Sequence, residues 1–218
     1  MEIHHLLEQH SIASKFIAEL RDINIQKDQM RFRRNIERLG EILAFELSKS
    51  LTYKEKSITT PLGKAITYEL NEQIVICSIL RAGLPLHNGI LSYFDTAENT
   101  FISAYRHHIS EKEFEIKVEY LASPSLEGKT VILADPMLAT GGSFVNVFEA
   151  LKPMGTPAKI HLVSIIGARP GVDFVSRHFP RDTHLWIATI DEDLNDLGYI
   201  VPGLGDAGDL SYGTKLQH

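Results

Sequence analysis

One stretch of the chain, residues 131–143, joins an apolar run to a single carboxylate and then to a Thr-Gly-Gly-Ser turn. The apolar run ends in Asp135, which predicts a buried strand that delivers an acid to its carboxyl edge, where open α/β sheets keep their ligands. Adjacent glycines permit positive φ and close approach of the backbone, and the hydroxyls of Thr140 and Ser143 add donors. Apolar residues at helical spacing follow, so the turn would lie at a helix N-terminus, which favours an anion. The segment therefore predicts an acceptor for ribose hydroxyls beside a cradle for one phosphate.

Two arginines come directly after other predicted strands. Arg81 follows the apolar run 74–80 and precedes Gly83, and Arg106 has the same relation to a strand predicted at 100–105. Either side chain could simply form a salt bridge at the sheet edge, but the carboxyl ends of parallel strands are where ligands bind. A guanidinium is a forked donor that suits phosphate and diphosphate. Two such groups beside one phosphate turn predict a ligand with more than one phosphate.

The composition is that of an ordinary globular protein, with 218 residues, 44% of them hydrophobic and 23% charged. We expect one domain, made of a helical region plus β-arm over 1–70, an α/β core over 71–190 and a tail over 191–218. The net charge of −6 argues against nucleic-acid binding by the whole surface. No apolar run approaches the ~18 residues that span a membrane, and the start lacks the pattern of a signal peptide, so we expect a cytoplasmic location. The single cysteine, Cys77, lies in an apolar run and is expected to be a reduced core residue.

Alternating patterns predict how the chain positions these residues. From residue 74 onward, strands, glycine turns and helices alternate, which predicts an α/β fold with a doubly wound parallel sheet. Residues up to about Leu51 are expected to be helical, and β-branched segments around residues 61–63 predict a protruding hairpin. The alternating run 114–120 predicts a half-exposed strand, and the polar segment 106–115 predicts a lid. Strands are predicted near 74–79, 100–105, 130–134, 159–165 and 184–189, and helices near 11–21, 28–50, 84–94, 143–152 and 171–178.

The tail contains Gly203-Leu-Gly205-Asp-Ala-Gly208, which formally matches the dinucleotide fingerprint G-x-G-x-x-G. That fingerprint must follow a strand, open a helix within a βαβ unit and precede an acid by about 20 residues, whereas this chain ends soon afterwards. A long glycine-rich loop in a compact domain is usually functional or disordered. We therefore interpret the tail as a binding loop in preference to an inert surface loop.

Residues 31–38 form a basic helix segment with four arginines. One interpretation is a solvated helix face in which Glu41 pairs with Arg38 at i, i+3. The other is contact of Arg33 or Arg34 with a phosphate or a neighbouring subunit. The chain has no Walker-type loop, no Cys/His metal spacing and no G-x-S-x-G elbow.

Three motifs taken together are far more specific than any one of them: A-D-P-M-L-A-T-G-G-S at 134–143, I-L-R-A-G-L at 79–84 and G-Y-I-V-P-G-L-G-D-A-G-D at 198–209. They resemble the donor motif in its Asp-Pro form, the pyrophosphate loop and the uracil-recognition loop of the uracil branch of the type I phosphoribosyltransferases. The resemblance extends from about residue 21 to 215. It implies the type I fold, with an N-terminal helical region, a β-hairpin arm and a C-terminal base-binding loop. It also implies a salvage reaction in which uracil and 5-phospho-α-D-ribose 1-diphosphate (PRPP) give UMP and diphosphate.

The resemblance further implies which residues bind each part of the substrates. Residues 139–143 would hold the 5′-phosphate, Asp135 the ribose hydroxyls, and Arg81 and Arg106 the diphosphate. Asp135, Asp206 and Arg106 would be catalytic. The PRPP-binding set is Arg81, Arg106, Asp135, Pro136, Met137, Leu138, Ala139, Thr140, Gly141, Gly142, Ser143 and Asp206, and the uracil-binding set is Ile200, Gly205, Asp206 and Ala207.

Mg²⁺ is the implied cofactor, held mainly through the diphosphate and water and not by a set of protein ligands. The implied partners are the two small substrates and further copies of the chain, as a homodimer or a homotetramer, with no nucleic acid and no membrane. The hairpin supports an oligomer, because alone it would be a poorly packed ribbon. Whether GTP is an effector stays open. Ser78, Asn88 and the pair His107-His108 depart from the family's pattern.

Two other functions are compatible with parts of the sequence. The arginines of residues 31–38 motivate an RNA-binding pyrimidine regulator built on the same fold. A purine-base transferase is the second alternative, and the Gly205-Asp-Ala loop disfavours it.

Overall fold

A computed structural model describes residues 1–108 and 114–215 of the chain, with the backbone alone for 104–108 and 114–119. The strands within these residues are β1 (Glu2–His5), β2 (Tyr53–Thr60), β3 (Gly63–Leu70), β4 (Ile74–Leu80), β5 (Glu98–His108), β6 (Phe114–Ala122), β7 (Thr130–Ala134), β8 (Met137–Leu138), β9 (Lys159–Ala168), β10 (His184–Asp191), β11 (Asp193–Leu194) and β12 (Ile200–Val201). The α-helices are α1 (Ile12–Arg21), α2 (Gln29–Ser48), α3 (Gly83–Leu91), α4 (Gly142–Leu151), α5 (Arg169–His178) and α6 (Ala207–Tyr212), and short 3₁₀ helices cover Leu6–Glu8 and Lys152–Met154.

The main sheet has the order β1-β10-β9-β7-β4-β5-β6, and β8 adds to β9. Every neighbouring pair is parallel except β5 with β6. Parallel strands joined by helices require both faces of the sheet to be covered. The predicted doubly wound α/β sheet is therefore confirmed, and the strand predicted near 114–120 forms its antiparallel edge.

Alternating side chains of the central strands divide the core into two halves. Ile74 and Ile76 of β4 pack on the side of α1, α2 and α3, whereas Val75 and Cys77 pack on the side of α4 and α5. Cys77 is fully buried, and burial raises the pKa of its thiol to about 12. The thiol is therefore protonated at neutral pH and unreactive, as expected for a core cysteine.

Side-chain caps explain where the first two helices begin. The Ser11 hydroxyl accepts a hydrogen bond from the Ala13 N–H at 3.3 Å, and the Asp28 carboxylate accepts one from the Arg31 N–H at 3.0 Å. Each cap satisfies a backbone donor that has no partner inside its helix. Within the described residues, no helix is long and apolar enough to cross a lipid bilayer.

The first residues correct the prediction that the chain is helical up to Leu51. Glu2–His5 forms β1, which pairs in parallel with β10 at the sheet edge. Four residues, three of them polar, are too few to give a periodic pattern. Pairing with a distant strand decides their conformation instead.

β5 extends beyond its predicted end and corrects the argument for Arg106. The strand continues to His108, and Arg106 lies opposite Ile116 of β6. Arg106 is therefore inside a two-stranded ribbon and does not follow a strand end. The segment predicted as a lid, 106–115, comprises the adjoining ends of β5 and β6, and residues 109–113 lie outside the described residues.

The predicted hairpin is present and longer than expected. β2 and β3 pair with each other from Tyr53 opposite Leu70 to Thr60 opposite Gly63, as a separate two-stranded sheet. Large apolar side chains on this arm, including Ile66 and Tyr68, are exposed. The arm thus projects from the main sheet with its apolar side chains uncovered in a single copy of the chain.

Candidate active site

Asp135 and the glycine turn lie where β7 ends and α4 begins. The carboxylate of Asp135 accepts a hydrogen bond from the Met137 N–H at 3.2 Å. Gly141 has φ of 81°, and a Cβ there would lie 2.9 Å from Val175, so only glycine fits. The turn therefore presents the N-terminus of α4 next to a carboxylate, as the sequence predicts.

Residues 136–139 connect this acid to the turn mainly through their backbone. Met137 and Leu138 form β8, and the Leu138 side chain is fully buried. A Cβ on Gly171 would lie 2.0 Å from the Ala139 carbonyl oxygen, so α5 begins in direct contact with the turn. Leu138 can consequently face a ligand with its backbone groups only.

The loop that carries Arg81 lies against the end of β7. A Cβ on Gly83 would lie 3.2 Å from the Ala134 carbonyl oxygen, which places this loop beside the residue before Asp135. The Leu80–Arg81 peptide is cis. Arg81 Nη2 donates to Asp209 Oδ1 and to the Gly213 carbonyl oxygen, each at 3.2 Å. Arg81 therefore lies between the strand edge and the C-terminal tail.

The tail brings the third motif to the same place. A Cβ on Gly208 would lie 4.0 Å from both Ala82 and Arg81 Nη2. Three segments that are more than 50 residues apart in sequence thus meet at the carboxyl edge of the sheet. The Arg81 loop borders Ala134 at Gly83 and borders the tail at Gly208, so a larger residue at either glycine would crowd these contacts.

Asp206 begins α6 and stays ionised. Its Oδ1 accepts from the Asp209 N–H at 3.0 Å, and its Oδ2 pairs with Lys215 Nζ at 3.0 Å. Burial acts to raise the pKa of Asp206, but these hydrogen bonds and the Lys215 charge outweigh it and hold the pKa below its ordinary value. An ionised carboxylate therefore lies beside Gly208 at neutral pH.

The residues predicted to contact a base differ in exposure. The side chains of Ile200 and Ala207 are buried in the core, whereas Gly205 is exposed and has φ of 94°. Only backbone groups of Ile200 and Ala207 can therefore face a ligand. This agrees with a loop that recognises its ligand through amides and carbonyls.

An ion pair that the sequence analysis missed holds the tail in place. Arg21 donates to both carboxylate oxygens of Asp191, at 2.7 and 2.6 Å, and to the Gly203 carbonyl oxygen at 3.0 Å. The Gly203 N–H in turn donates to Asp191 at 2.8 Å. Burial acts to raise the pKa of Asp191, but these bonds lower it. The available signal was that Asp191 follows the strand predicted near 184–189 by two residues.

The basic helix segment is already engaged within the chain. Arg34 pairs with Glu37 at 2.8 Å and with Glu41 at 3.6 Å, so Glu41 is the partner of Arg34 and not of Arg38. Arg33 donates to the Ser211 carbonyl oxygen at 2.6 Å. Arg34 therefore forms ion pairs within α2, and Arg33 holds the C-terminal tail against this helix.

A buried hydrogen bond joins the two elements that flank the Arg81 loop, β4 and α3. Ser78 Oγ and His87 Nδ1 lie 2.8 Å apart, and both residues are buried. Burial lowers the pKa of His87, so its imidazole is neutral. Ser78, which departs from the family's pattern, thus links the end of β4 to α3 on either side of the loop.

Carboxylates near the loops are too few to form a metal cage. Among the described residues, those facing this edge include Asp135, Asp206 and Asp209, and no group of three metal-binding side chains gathers around them. Mg²⁺ commonly binds through one or two carboxylates together with substrate phosphates and water. Asp135, Asp206 and Asp209 supply carboxylates of the kind that such binding uses.

Comparison with known proteins agrees with this arrangement. The family model described as uracil phosphoribosyltransferase matches residues 7–214. A uracil phosphoribosyltransferase of Porphyromonas gingivalis is 49% identical over 216 residues, which cover 99% of this chain and 100% of the relative. One from Methanothermobacter thermautotrophicus is 40% identical over 188 residues, or 85% of each chain. A solved structure from Aquifex aeolicus, 34% identical, superposes with a TM-score of 0.85 over 99% of this chain and 100% of its own.

These matches cover the same residues that carry the glycine turn, the Arg81 loop and the tail. The family model and the Porphyromonas relative extend over essentially the whole chain. The chain belongs to the uracil phosphoribosyltransferase family.

Proposed function

We propose that this chain transfers the phosphoribosyl group of PRPP to uracil and releases UMP and diphosphate. The observation that carries the proposal is the meeting of three motifs at one sheet edge: the turn after Asp135, the Arg81 loop and the tail at Gly208. The turn and the Arg81 loop suit a ligand with a 5′-phosphate, a ribose and a diphosphate, and the tail lies beside them where a base can bind. Family membership supports the same reaction.

The donor binds across the first two motifs in this proposal. Backbone N–H groups of residues 139–143 hold the 5′-phosphate at the N-terminus of α4, and Asp135 accepts hydrogen bonds from the ribose hydroxyls. Arg81 binds the diphosphate through its guanidinium. Arg106, on the ribbon formed by β5 and β6, is proposed to reach the same diphosphate, and this role rests on the resemblance.

The base binds at the tail. Uracil presents an acceptor, a donor and an acceptor at O4, N3–H and O2, a pattern that backbone carbonyls and amides of residues 200 and 205–207 can match. Cytosine would leave buried polar groups unpaired, which costs about 1–3 kcal/mol for each group. The buried side chains of Ile200 and Ala207 support recognition through the backbone.

The reaction is a substitution at the anomeric carbon of the ribose. The bond from C1′ to the diphosphate oxygen breaks while the bond from C1′ to uracil N1 forms, through an oxocarbenium-like transition state, and the N1 proton leaves to solvent or to the released diphosphate. Magnesium bound to the diphosphate would neutralise charge on the leaving group. Arg81 stabilises that developing charge, and the carboxylates of Asp135 and Asp206 face the positive ribosyl centre. No covalent intermediate with the protein is needed.

A second copy of the chain is part of the proposal, as a homodimer or a homotetramer. The arm made of β2 and β3 supports it, because Ile66 and Tyr68 are 61% and 68% exposed in one copy. Exposed apolar surface of this kind marks an interaction site. GTP as an effector stays a prediction that rests on the resemblance alone.

The RNA-binding alternative has little support from the basic helix segment. Arg31, Arg33 and Arg34 already contact Glu19, a backbone carbonyl and two glutamates. Binding of a polyanion would have to break these contacts, and the net charge of −6 opposes it. A gel shift with uracil-rich RNA is therefore expected to show no salt-sensitive complex.

The function is tested by measuring UMP and diphosphate released from uracil, PRPP and Mg²⁺. We expect equal amounts of the two products, and a loss of turnover of about 100-fold in Asp206→Asn, because removal of one pre-organised charge costs about that much. Asp173→Asn, at an exposed position on α5, is the matched control and is expected to be as active as the unaltered chain. Unchanged turnover in Asp206→Asn would remove Asp206 from the site, and absence of UMP from every preparation would contradict the function.

A further inference from the structure

A second cluster of polar side chains lies at the opposite edge of the sheet, where the parallel strands begin. Glu2 and His4 are on β1, and His184 is the first residue of β10. Glu2 is directly opposite His184 in the register, and His4 is two residues further along the same face. The site described above is at the carboxyl ends of the strands, so the two are separate.

His4 Nε2, His184 Nδ1 and one carboxylate oxygen of Glu2 all lie within 4.8 Å of one another. His4 Nε2 and His184 Nδ1 lie 3.0 Å apart, Glu2 Oε1 lies 3.6 Å from His4 Nε2, and Glu2 Oε2 lies 3.6 Å from His184 Nδ1. Two ligands bound to zinc at about 2.0–2.1 Å with a tetrahedral angle are about 3.3 Å apart. The separation between the two nitrogens is slightly shorter than this value, and that from each nitrogen to its nearer Glu2 oxygen is slightly longer. Small rotations of the side chains would therefore bring both nitrogens and one carboxylate oxygen onto one ion.

The chemistry of this donor set selects the kind of metal. Two imidazoles and one carboxylate suit zinc, whereas magnesium and calcium prefer oxygen ligands alone. The Glu2 side chain is 65% exposed, so the cluster opens to solvent and leaves room for a water as a fourth ligand.

The rings are held in place by their neighbours. The His4 ring stacks on Trp186 with centroids 3.8 Å apart and planes 6° apart. His161 of β9 lies opposite His184 with ring centroids 5.2 Å apart, and its Nδ1 accepts from Trp186 Nε1 at 3.1 Å. His161 is 1% exposed, and its Nε2 has no hydrogen-bond partner among the described residues. Ligands on paired strands with packed rings are positioned more rigidly than ligands on loops.

We propose that Glu2, His4 and His184 bind one zinc ion, which joins the edge strand β1 to β10. The ion would replace the hydrogen bond between the two imidazoles with two bonds to metal. Such a site stabilises the pairing of the N-terminal strand and takes no part in the reaction at the other edge. The proposal does not depend on the function given above.

Zinc binding is tested with the full chain, prepared without an affinity tag and stripped of metal. The protein is titrated with zinc chloride in competition with a chromophoric chelator. We expect one ion per chain and an affinity reduced about tenfold or more in Glu2→Gln and in His184→Gln, because each loses a ligand. His10→Gln, at an exposed histidine outside the cluster, is the control and should bind as the unaltered chain does.

Thermal unfolding supplies a second readout that does not involve activity. Zinc should raise the Tm of the unaltered chain and of His10→Gln, but not of Glu2→Gln, whose exposed position lets the variant fold. Equal zinc affinity in the unaltered chain and in Glu2→Gln, or a Tm that zinc leaves unchanged, would overturn the proposal. In that case the cluster is a hydrogen-bonded histidine pair beside a surface glutamate.

Discussion

At the scale of single residues, the hydrogen bond between Ser78 and His87 links the two ends of the Arg81 loop. Both residues are buried, and Ser78 also lies next to Gly83 within that loop. The loop therefore depends on a polar pair in an apolar surrounding. Leaving one partner of such a pair unsatisfied costs more than the bond itself contributes.

Ser78→Ala tests this dependence. We expect a loss of about 1–3 kcal/mol in the free energy of unfolding, because His87 Nδ1 would be buried without a partner. A rise in KM for PRPP should accompany it. Urea unfolding and steady-state kinetics measure the two effects. Ser176→Ala, an exposed serine on a helix, serves as the control and should change stability by less than about 0.5 kcal/mol. A stability equal to that of the control would contradict the role.

Much of the site could be predicted from single residues because its motifs are local. The turn after Asp135 and the loop at Arg81 each combine a strand end, a glycine and a functional side chain within a few residues. The contact of Arg21 with Asp191 could not be predicted in this way, because 170 residues separate the partners. Sequence patterns reveal which residues lie on a face, but not which distant residue completes an ion pair.

At the scale of elements, the N-terminal helices position the C-terminal tail. Arg21 at the end of α1 binds Asp191 and the Gly203 carbonyl oxygen, and Arg33 of α2 binds the Ser211 carbonyl oxygen. Both ends of the chain thus contribute to one loop. The tail needs this support because its own secondary structure is short.

Arg21→Ala is expected to release the tail. The KM for uracil should rise about tenfold or more, since the base loop loses its anchor, while KM for PRPP changes less. The free energy of unfolding should fall by about 2 kcal/mol, because the Asp191 carboxylate, which is almost fully buried, would lose the charge of Arg21. Kinetics with each substrate varied in turn measures the difference. Arg31→Ala is the control: it removes an exposed arginine that pairs with Glu19, and it should leave both KM values unchanged. A parallel rise in both would argue against a specific effect on the tail.

Glu72, in the loop before β4, bonds to β7, to β9 and to the loop before β2, and makes these contacts pH-dependent. Its carboxylate accepts from Thr130 Oγ1 and Lys159 Nζ, each at 2.5 Å, and from the Thr52 N–H at 2.7 Å. Burial acts to raise its pKa, but these bonds outweigh it and lower the pKa from 4.5 to about 2. The bonds therefore favour the ionised form in the folded protein.

The stability that Glu72 contributes is complete above pH 4.5 and is lost as the pH falls towards 2. Glu72→Gln should reduce the free energy of unfolding by about 3 kcal/mol at pH 7 and by much less near pH 2. Chemical unfolding at several pH values measures this. Glu55→Gln, on the exposed arm, should show no such pH dependence. A deficit that stays constant between pH 7 and pH 3 would contradict the assignment.

Elements with strong periodicity were predicted well, and the exceptions have physical reasons. The buried run of β7 and the strand-turn-helix order around it confirm the predicted sheet. β1 was missed because a short edge strand acquires its structure from β10. β5 was predicted too short, because antiparallel pairing with β6 extends it into a polar segment without a pattern of its own. Pairing between strands overrides local preference in both cases.

At the scale of the whole molecule, the arm of β2 and β3 exposes large apolar side chains that a second copy of the chain could cover. The double variant Ile66→Lys with Tyr68→Lys places two charges on one face of β3. We expect the unaltered chain to be an oligomer by light scattering and the variant to have a smaller mass. Lys54→Glu, at an exposed position on the other face of the arm, controls for altered charge and should keep the mass unchanged. An unaltered chain that is already monomeric would contradict the proposed interface.

The proposed site is divided between three parts of the chain, with the base at the tail. The most direct test is a comparison of kcat/KM for uracil, cytosine, hypoxanthine and guanine with PRPP and Mg²⁺ held constant. We predict UMP formation with uracil and a preference over cytosine of about 100-fold or more, because buried polar groups would be left unpaired. Nucleotide formation from a purine base but not from uracil would contradict the account.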